Sequence, residues 1–448
     1  MRFEALALSE PLLRSLKAAG YQTATPIQQK AIPKLLAGRD VLGCAQTGTG
    51  KTAAFTLPTL QRLMASSKPQ SGSARRRQRS GRRAIRALIL TPTRELAGQI
   101  GESLATYGKH TSIQHTVIFG GVRQGKQVRA LQAGVDILAA TPGRLLDLIQ
   151  QGYIDLGAVE VLILDEADQM LDMGFIHDLR KIVSHVPDQR QTLMFSATMP
   201  EQIRQLAKQW LRRPLEVKVA PVASTPERVS QTVCFVERQH KVATLTKFLN
   251  ETPRSRTLVF SRTKHGADKI TRYLQRDGIR AVSIHGNKSQ AKRQAAMREF
   301  NSQCPPVLVA TDLAARGLDF SDISHVINYD MPDTPETYVH RIGRTARAGA
   351  SGQAVSFCCR DERQQLRMIE RLTGRTVPVQ ALPRPDLHSN AAPSPSESKA
   401  VAADGPKPRS KRRVRQHSRS KSGSSSSRSN QPSRKPARKR RRPGTRAV

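Results

Sequence analysis

The sequence predicts an α/β protein: two tandem doubly wound parallel-sheet domains followed by a disordered basic C-terminal tail. Three observations carry this expectation. Short apolar runs alternate with helix-period segments from residue 40 to about 215, and the pattern repeats from about 229 to 375. The runs are apolar throughout rather than alternating with polar residues, as strands covered on both faces require. Past about residue 380, Pro, Ser, Arg and Lys displace the apolar residues. Such a segment cannot bury enough surface to offset its ordering entropy.

Residues 1–39 open with helical spacing at Leu6, Leu8, Leu12, Leu13 and Leu16, which Gly20-Tyr21 breaks. Thr25-Pro26-Ile27-Gln28 starts a second helix, with Thr25 as N-cap and Pro26 in the first position. In the first domain, residues 40–215, strands are expected at 41–44, 87–90, 116–119, 136–140, 161–164 and 192–195. An insert at 65–86 holds eight Lys/Arg and no acid, and reads as a solvated loop. Residues 216–228, with Pro221 and Ser224-Thr225-Pro226, read as a linker. In the second domain, residues 229–375, strands are expected at 233–236, 257–260, 281–284, 307–310, 326–329 and 354–358. Residues 376–448 form the tail. Two similar lobes on a short linker imply a cleft that ligand can close.

The formal net charge is +39, from 74 Lys+Arg against 35 Asp+Glu, which argues for a polyanionic partner such as nucleic acid. Residues 401–448 carry 17 Lys/Arg and one acid, Asp404, leaving +23 on the remainder of the chain. No run of 18 apolar residues exists, and Met1-Arg2-Phe3-Glu4 begins no signal-peptide core, so an intracellular protein without a membrane partner is expected. Five cysteines (Cys44, Cys234, Cys304, Cys358 and Cys359) lack metal-ligand spacing and read as buried thiols.

Ala45-Gln46-Thr47-Gly48-Thr49-Gly50-Lys51-Thr52 stands between the first apolar run and a helical pattern. A strand, a glycine-rich turn and a helix opening on Lys-Thr make a phosphate cradle, although Ala45 holds the place where the general pattern begins with Gly. Lys51 supplies a point charge for the terminal phosphates, and Thr52 offers a hydroxyl to Mg²⁺. Asp165-Glu166-Ala167-Asp168 ends another apolar run, where ligands of such sheets gather. Asp165 is the candidate to hold Mg²⁺ through water, and Glu166 to orient and deprotonate the attacking water. The hydroxyls of Ser196-Ala197-Thr198 can bond Asp168, or simply cap a helix. In His340-Arg341-Ile342-Gly343-Arg344-Thr345-Ala346-Arg347 the three arginines are spaced to share a helical face. Arg344 and Arg347 then suit the γ-phosphate across the cleft.

In this combination and order the motifs resemble those of DEAD-box ATP-dependent RNA helicases, two-lobed ATPases of superfamily 2, over residues 3 to about 370. The resemblance implies two tandem RecA-like domains. Gly20-Tyr21 and Thr25–Gln28 are similar to the adenine-reading Q motif, with Phe3 as the upstream aromatic. Residues 45–52, 165–168 and 196–198 match motifs I, II and III. Pro92-Thr93-Arg94-Glu95-Leu96-Ala97, Gly120-Gly121 and Thr141-Pro142-Gly143-Arg144 match RNA-contacting motifs of the first lobe. In the second lobe the matches are Val259–Thr263 around Arg262, Ser289-Gln290 with Arg293, and the run Ala310 to Asp319. That run includes Thr311, Asp312, Arg316 and Gly317. Residues 340–347 match motif VI, with His340 and Arg341 expected to couple the two sites. The insert position, Asp172-Met173-Gly174-Phe175 and the basic tail look most like the bacterial RhlE-type branch. Ala24 and Ala346 depart from the Pro and Gly usual at their places.

The resemblance implies an ATP- and Mg²⁺-dependent enzyme that unwinds RNA duplexes or remodels RNA–protein complexes through sequence-independent backbone contacts. Gln28 would read adenine, Tyr21 or Phe3 would stack on it, and Asp319 would bond the ribose. Ribosomal precursor particles or RNA-decay machinery are the implied partners, in the cytoplasm. Two rivals differ in class: a DNA translocase of the same superfamily, and an ATP-independent RNA clamp or annealing chaperone. Lys51, Glu166 and Arg347 together favour retained hydrolysis.

Overall fold

In lobe 1 the apolar runs become seven strands: β1 (Val41–Cys44), β2 (Ala87–Leu90), β3 (His115–Ile118), β4 (Ile137–Ala140), β5 (Val161–Leu164), β6 (Gln191–Ser196) and β7 (Leu215–Lys218). Its helices are α1 (Glu10–Ala18), α2 (Pro26–Leu36), α3 (Lys51–Ala65), α4 (Arg94–Tyr107), α5 (Gly125–Ala133), α6 (Pro142–Gln150), α7 (Ala167–Asp172), α8 (Ile176–Val183) and α9 (Glu201–Trp210). Lobe 2 holds β8 (Val229–Phe235), β9 (Arg256–Phe260), β10 (Ala281–Ile284), β11 (Val307–Ala310), β12 (Ile323–Asn328) and β13 (Gly352–Cys358). Its helices are α10 (Lys241–Glu251), α11 (Lys264–Arg276), α12 (Gln290–Phe300), α13 (Asp312–Ala315), α14 (Pro335–Ile342) and α15 (Arg363–Thr373). This computed structural model describes residues 1–45, 48–66, 83–218, 229–315, 323–346 and 351–380. Most of the basic insert, residues 219–228 of the expected linker, and the tail from 381 onward lie outside the described residues, as do Gln46, Thr47, Arg316, Gly317, Asp319 and Arg347.

Every strand pair is parallel. Both faces of lobe 1's sheet are covered, so β2 sends Ala87 and Ile89 into one core and Leu88 and Leu90 into the other. The sheets run β3-β4-β2-β5-β6-β1-β7 and β10-β11-β9-β12-β13-β8. Counted within each lobe, both follow the order third, fourth, second, fifth, sixth, first. The repeat extends to single hydrogen bonds. The amide after the fifth strand donates to the last carbonyl of the second: Asp165 to Leu90 at 2.9 Å, Tyr329 to Phe260 at 3.1 Å. The amide after the first strand donates to the end of the sixth: Ala45 to Ser196 at 3.1 Å, Val236 to Cys358 at 3.2 Å. In lobe 1, β7 adds to the outer edge of β1, and in lobe 2 Val379 forms a parallel bridge to Val233 on β8.

Three expectations are corrected. β7 takes residues 216–218, which read as linker, because Leu215-Glu216-Val217-Lys218 alternates as an edge strand does rather than forming an apolar run. The helix of motif VI stops at Ile342 with Gly343 as its C-cap, so Arg344 lies beyond it and shares no helical face with Arg341. Cys304 is exposed and Cys44 half-buried, while the other three cysteines are buried; all five thiols are free.

Candidate functional site

The turn after β1 brings Gly48 and Gly50 to φ of 85° and 92°, a region that glycine occupies without steric cost. A Cβ at Gly50 would lie 2.5 Å from Gln28 Nε2 and 2.9 Å from Thr25 Oγ1, so this glycine is also needed for close packing. α3 starts at Lys51, with Thr52 next in its first turn. Lys51 is 5% exposed, and its buried Nζ has no hydrogen-bond partner among the described residues. Asp165, Glu166 and Asp168 at the end of β5 are buried as well. Burial pushes the Asp165 carboxyl up to about 6; Glu166 and Asp168 add to the rise and Lys51 opposes it. An unpaired ammonium beside a carboxyl that resists ionisation is a pocket short of counter-charge. The donor set suits a phosphate with a hard cation: N–H groups, an ammonium, a hydroxyl and a carboxylate.

Asp168 links this pocket to β6. Its Oδ2 accepts from the Thr198 hydroxyl at 2.8 Å, the Thr198 amide at 2.9 Å and the Ala197 amide at 3.2 Å. Of the two hydroxyls expected to reach Asp168, only that of Thr198 does; Ser196 Oγ donates to the Thr198 carbonyl at 2.6 Å. Gln28 is held at both ends of its amide. Oε1 accepts from the Thr25 N–H at 2.8 Å, and Nε2 donates to the Gly50 carbonyl at 3.1 Å. Phe3 is sealed in the core at 2% exposure and offers no face to a base in this conformation. Tyr21, 49% exposed, packs edge-on against Tyr107 and is the aromatic open to one.

A second constellation spans the strand ends of both lobes. Thr93 caps α4, Thr141 and Pro142 begin α6 ahead of Gly143, and Ser289 caps α12, which starts at Gln290. Four helix N-termini, counting α11 capped by Thr263, thus carry partial positive charge beside the predicted RNA residues. Arg94 packs on Gly121, where φ is 78° and any Cβ would overlap the guanidinium. Gly120 precedes it in the same loop. Arg144 donates to Gln127 Oε1 at 3.2 Å and to the Val122 carbonyl at 3.4 Å. Burial and nearby Arg293 depress the Arg94 guanidinium, which favours an incoming anion. Sequence reasoning gave Glu95 no role, yet it bridges the lobes: Oε1 accepts from Arg293 Nε at 2.7 Å and from Gln290 Nε2 at 3.1 Å. A lone acid inside an otherwise cation-bearing motif, Pro92 to Ala97, is the signal that marks it.

Motif VI differs most from expectation. Arg341 is 2% exposed and forks onto Asp312, Nε to Oδ1 at 2.6 Å and Nη2 to Oδ2 at 2.7 Å. Its Nη1 donates to Asn328 Oδ1 and the Asp330 carbonyl, and its guanidinium lies over the Phe260 ring. Arg341 therefore ties the start of α13 to β12. Asp312 is its counter-ion, and Thr311, the residue before it, donates its amide to the Ile284 carbonyl at 3.4 Å. His340 and Arg344 line one small cavity with Thr337 and Phe260.

Comparisons with known proteins agree with this geometry. Residues 25–206 match the DEAD/DEAH box helicase family and residues 240–349 the helicase conserved C-terminal domain. A DEAD-box ATP-dependent RNA helicase CshA of Streptococcus pneumoniae is 46% identical over 84% of this chain and 69% of its own length. The CshA of Bacillus cereus is 43% identical over 84% and 69%. Among solved structures, S. cerevisiae Dbp5 bound to RNA and ADP BeF3 matches with a TM-score of 0.74 at 29% identity, over 86% of this chain and 96% of that one. Mss116p bound to ssRNA and AMP-PNP matches with a TM-score of 0.74 at 26% identity, over 85% and 78%. Two RecA-like lobes repeated bond for bond, a phosphate pocket short of counter-charge and this degree of identity lead to one assignment: the chain belongs to the DEAD-box family of ATP-dependent RNA helicases.

Proposed function

We propose that this protein hydrolyses ATP when RNA bridges its two lobes, and uses the cycle to separate short RNA duplexes or remodel RNA–protein complexes. The observation that carries the reading is the buried, unpartnered Lys51 ammonium beside Asp165. Charges left unmatched in a protein interior are costly unless a ligand completes them. ATP phosphates supply that completion, and the relatives solved with ADP BeF3 or AMP-PNP hold such groups together with RNA.

Lys51 and the turn at Gly48–Gly50 bind the phosphates, with Ala45 to Thr49 forming the cradle. Mg²⁺ bound with ATP would neutralise phosphate charge, and Thr52 and Asp165 are the residues that would hold it, largely through water. Glu166 orients the attacking water and takes its proton. Arg344, with Arg347, offsets charge developing on the γ-phosphate. Gln28 reads adenine, Tyr21 stacks on it, and Asp319 bonds the ribose. Because Gln28 also holds the Gly50 carbonyl, adenine recognition and the phosphate turn share one side chain. The helix N-termini, with Arg94, Gly121, Thr141, Arg144, Arg262, Gln290, Arg293, Thr311 and Gly317, take the RNA backbone, a recognition independent of base sequence. The Glu95–Arg293 pair joins lobes that RNA must bridge, and Asp168 with Thr198 relays between nucleotide pocket and sheet.

The insert position and the Asp172–Phe175 run support placement in the RhlE-type branch, although the matched relatives are named CshA. Work on ribosomal precursors or in RNA decay, in the cytoplasm, fits a sequence-independent remodelling enzyme. No helix among the described residues is long and apolar enough to cross a membrane. The decisive experiment measures ATP hydrolysis by wild type and Glu166→Gln with no nucleic acid, with RNA and with matched DNA. Stimulation by RNA alone, lost in the variant, is expected. Equal stimulation by DNA would replace this reading with the translocase, and RNA binding without hydrolysis would replace it with the clamp.

A further inference from the structure

Lobe 2 keeps the plan of a phosphate pocket and fills it from within. Lys241 opens α10 as Lys51 opens α3, each at the end of the loop that leaves its lobe's first strand. Both lysines are buried, 5% and 2% exposed. The loops between differ: 45–50 contains two glycines at positive φ, whereas Val236-Glu237-Arg238-Gln239-His240 has no glycine and closes as a 3-10 turn. Lys241 Nζ is saturated. It donates to Glu362 Oε2 at 2.8 Å and to the Tyr329 carbonyl at 2.7 Å, with Asp330 Oδ1 at 3.7 Å. A carboxylate of the chain itself thus meets the lysine that phosphate meets in lobe 1.

Glu362 is a hub. It is 2% exposed and sits in the 3-10 turn that follows β13. Oε2 also accepts from the Cys359 amide at 3.0 Å. Oε1 accepts from the Met331 amide at 3.2 Å and from Arg262 Nη2 at 3.1 Å. Arg262 Nη2 donates further to the Met331 carbonyl at 3.2 Å, and Nε lies 3.5 Å from Asp333 Oδ1. One edge of the guanidinium is therefore anchored, while Nη1 has no partner among the described residues. The wall that Lys241, Arg262, Tyr329 and Asp330 share borders a cavity of about 1050 Å³ at the C-terminal ends of β8, β9 and β12.

We propose that Glu362 and Lys241 are positioning residues for Arg262, and that this internal ion pair, in the place of a phosphate, presets the Arg262 fork for the RNA backbone. The inference rests on reading Arg262 as an RNA contact. An arginine whose rotamers are already restricted loses less entropy on binding phosphate than a free one. Glu362 meets Lys241 through Oε2 and Arg262 through Oε1, so one buried side chain fixes the ammonium and grips the guanidinium.

The test measures ATP hydrolysis against concentration of a single-stranded RNA oligonucleotide, with a thermal melt of each variant. Glu362→Gln is expected to raise the half-saturating RNA concentration roughly tenfold, the scale of one charge-assisted hydrogen bond, with kcat at saturating RNA unchanged. Arg262→Ala raises it at least as far, and adding Glu362→Gln to that background raises it no further. A Glu362→Gln variant that melts lower but keeps its RNA dependence, or whose effect adds in full to that of Arg262→Ala, overturns the positioning role. Unchanged RNA dependence in Arg262→Ala overturns the underlying RNA reading instead, so the two failures are distinct. Glu362→Asp, which keeps the charge and shortens the reach, replaces the glutamine variant if that one does not fold. A several-fold rise is expected from it, and no change overturns the proposal.

Discussion

Lys51 and Lys241 occupy the same place in two copies of one fold, and they have opposite surroundings. Lys241 meets a carboxylate at 2.8 Å and a carbonyl at 2.7 Å, whereas Lys51 meets no hydrogen-bond acceptor among the described residues. The sheet order, the strand-end hydrogen bonds and the helix that each lysine opens are shared, so none of these distinguishes a nucleotide site. What distinguishes it is an unfinished charge balance. A protein interior tolerates an unpaired ammonium only where something outside the chain completes it, and for Lys241 of lobe 2 Glu362 supplies that completion from within the chain.

Matched substitutions of the two lysines are the strongest way to break this comparison. Lys51→Met is expected to lower RNA-stimulated ATP hydrolysis by at least about a hundredfold, since it removes a preorganised charge from the transferring phosphate. It should leave nucleotide-free stability nearly unchanged, because no hydrogen bond is lost and the desolvation of the buried ammonium offsets its attraction to Asp165. Lys241→Met should do the reverse. It leaves Glu362, 2% exposed, with Arg262 as its remaining cation, and should cost about 3 kcal/mol in urea unfolding while sparing kcat at saturating RNA. Two lysines with the same profile in both assays would refute the distinction.

The position after the fifth strand sharpens it. Asp165 stands there in lobe 1 and Tyr329 in lobe 2, both donating their amides to the second strand. Burial lifts the Asp165 carboxyl to about 6, above the ordinary carboxylate value of about 4. The native state then binds more protons than the unfolded state between roughly pH 4 and 6, so this group's contribution is present below that window and lost as pH rises through it. Nucleotide-free wild type should lose stability across the window more steeply than Asp165→Asn, as read from unfolding midpoints at each pH. Parallel curves would show that the carboxyl is not raised. Burial pushes the Tyr329 phenol up as well, which keeps it neutral over the same range, so the equivalent position in lobe 2 adds no slope there.

Much of this architecture is legible in the sequence because parallel strands covered on both faces leave uninterrupted apolar runs. The strands at 41–44, 87–90, 161–164, 281–284 and 307–310 fall where those runs do. β7 is not legible, since an edge strand carrying Glu216 and Lys218 looks like a polar connection. In the site, glycine spacing and acid runs reveal the residues that wait for a ligand. They do not reveal residues that satisfy one another. Arg341 with Asp312 and Lys241 with Glu362 are far apart in sequence, and Glu237-Arg238-Gln239-His240-Lys241 has no glycine to mark that it holds in lobe 2 the place of the phosphate loop in lobe 1. Phe3, an aromatic at the expected spacing, is buried by its neighbours, a placement that spacing alone does not reveal.

The smallest expected effect concerns how the lobes reach left-handed backbone. In lobe 1 the turns at Gly48, Gly50 and Gly121 have φ of 85°, 92° and 78° on glycine, while Glu166 reaches 54° without one. In lobe 2 the residue that closes the described part of motif VI has φ of 56° and is Ala346, where the family usually places Gly. A Cβ in that region costs on the order of 1 kcal/mol. Glycine returns part of the gain through the greater freedom of its unfolded chain. Ala346 is also partly buried against the core of α14 and α15, so its methyl group is not idle. Ala346→Gly should therefore stabilise the nucleotide-free protein by only about 0.5 kcal/mol, a rise of about 1 °C in thermal midpoint. A lower midpoint would mean that methyl packing outweighs backbone strain here, and that lobe 2 keeps alanine for its core rather than in spite of its φ.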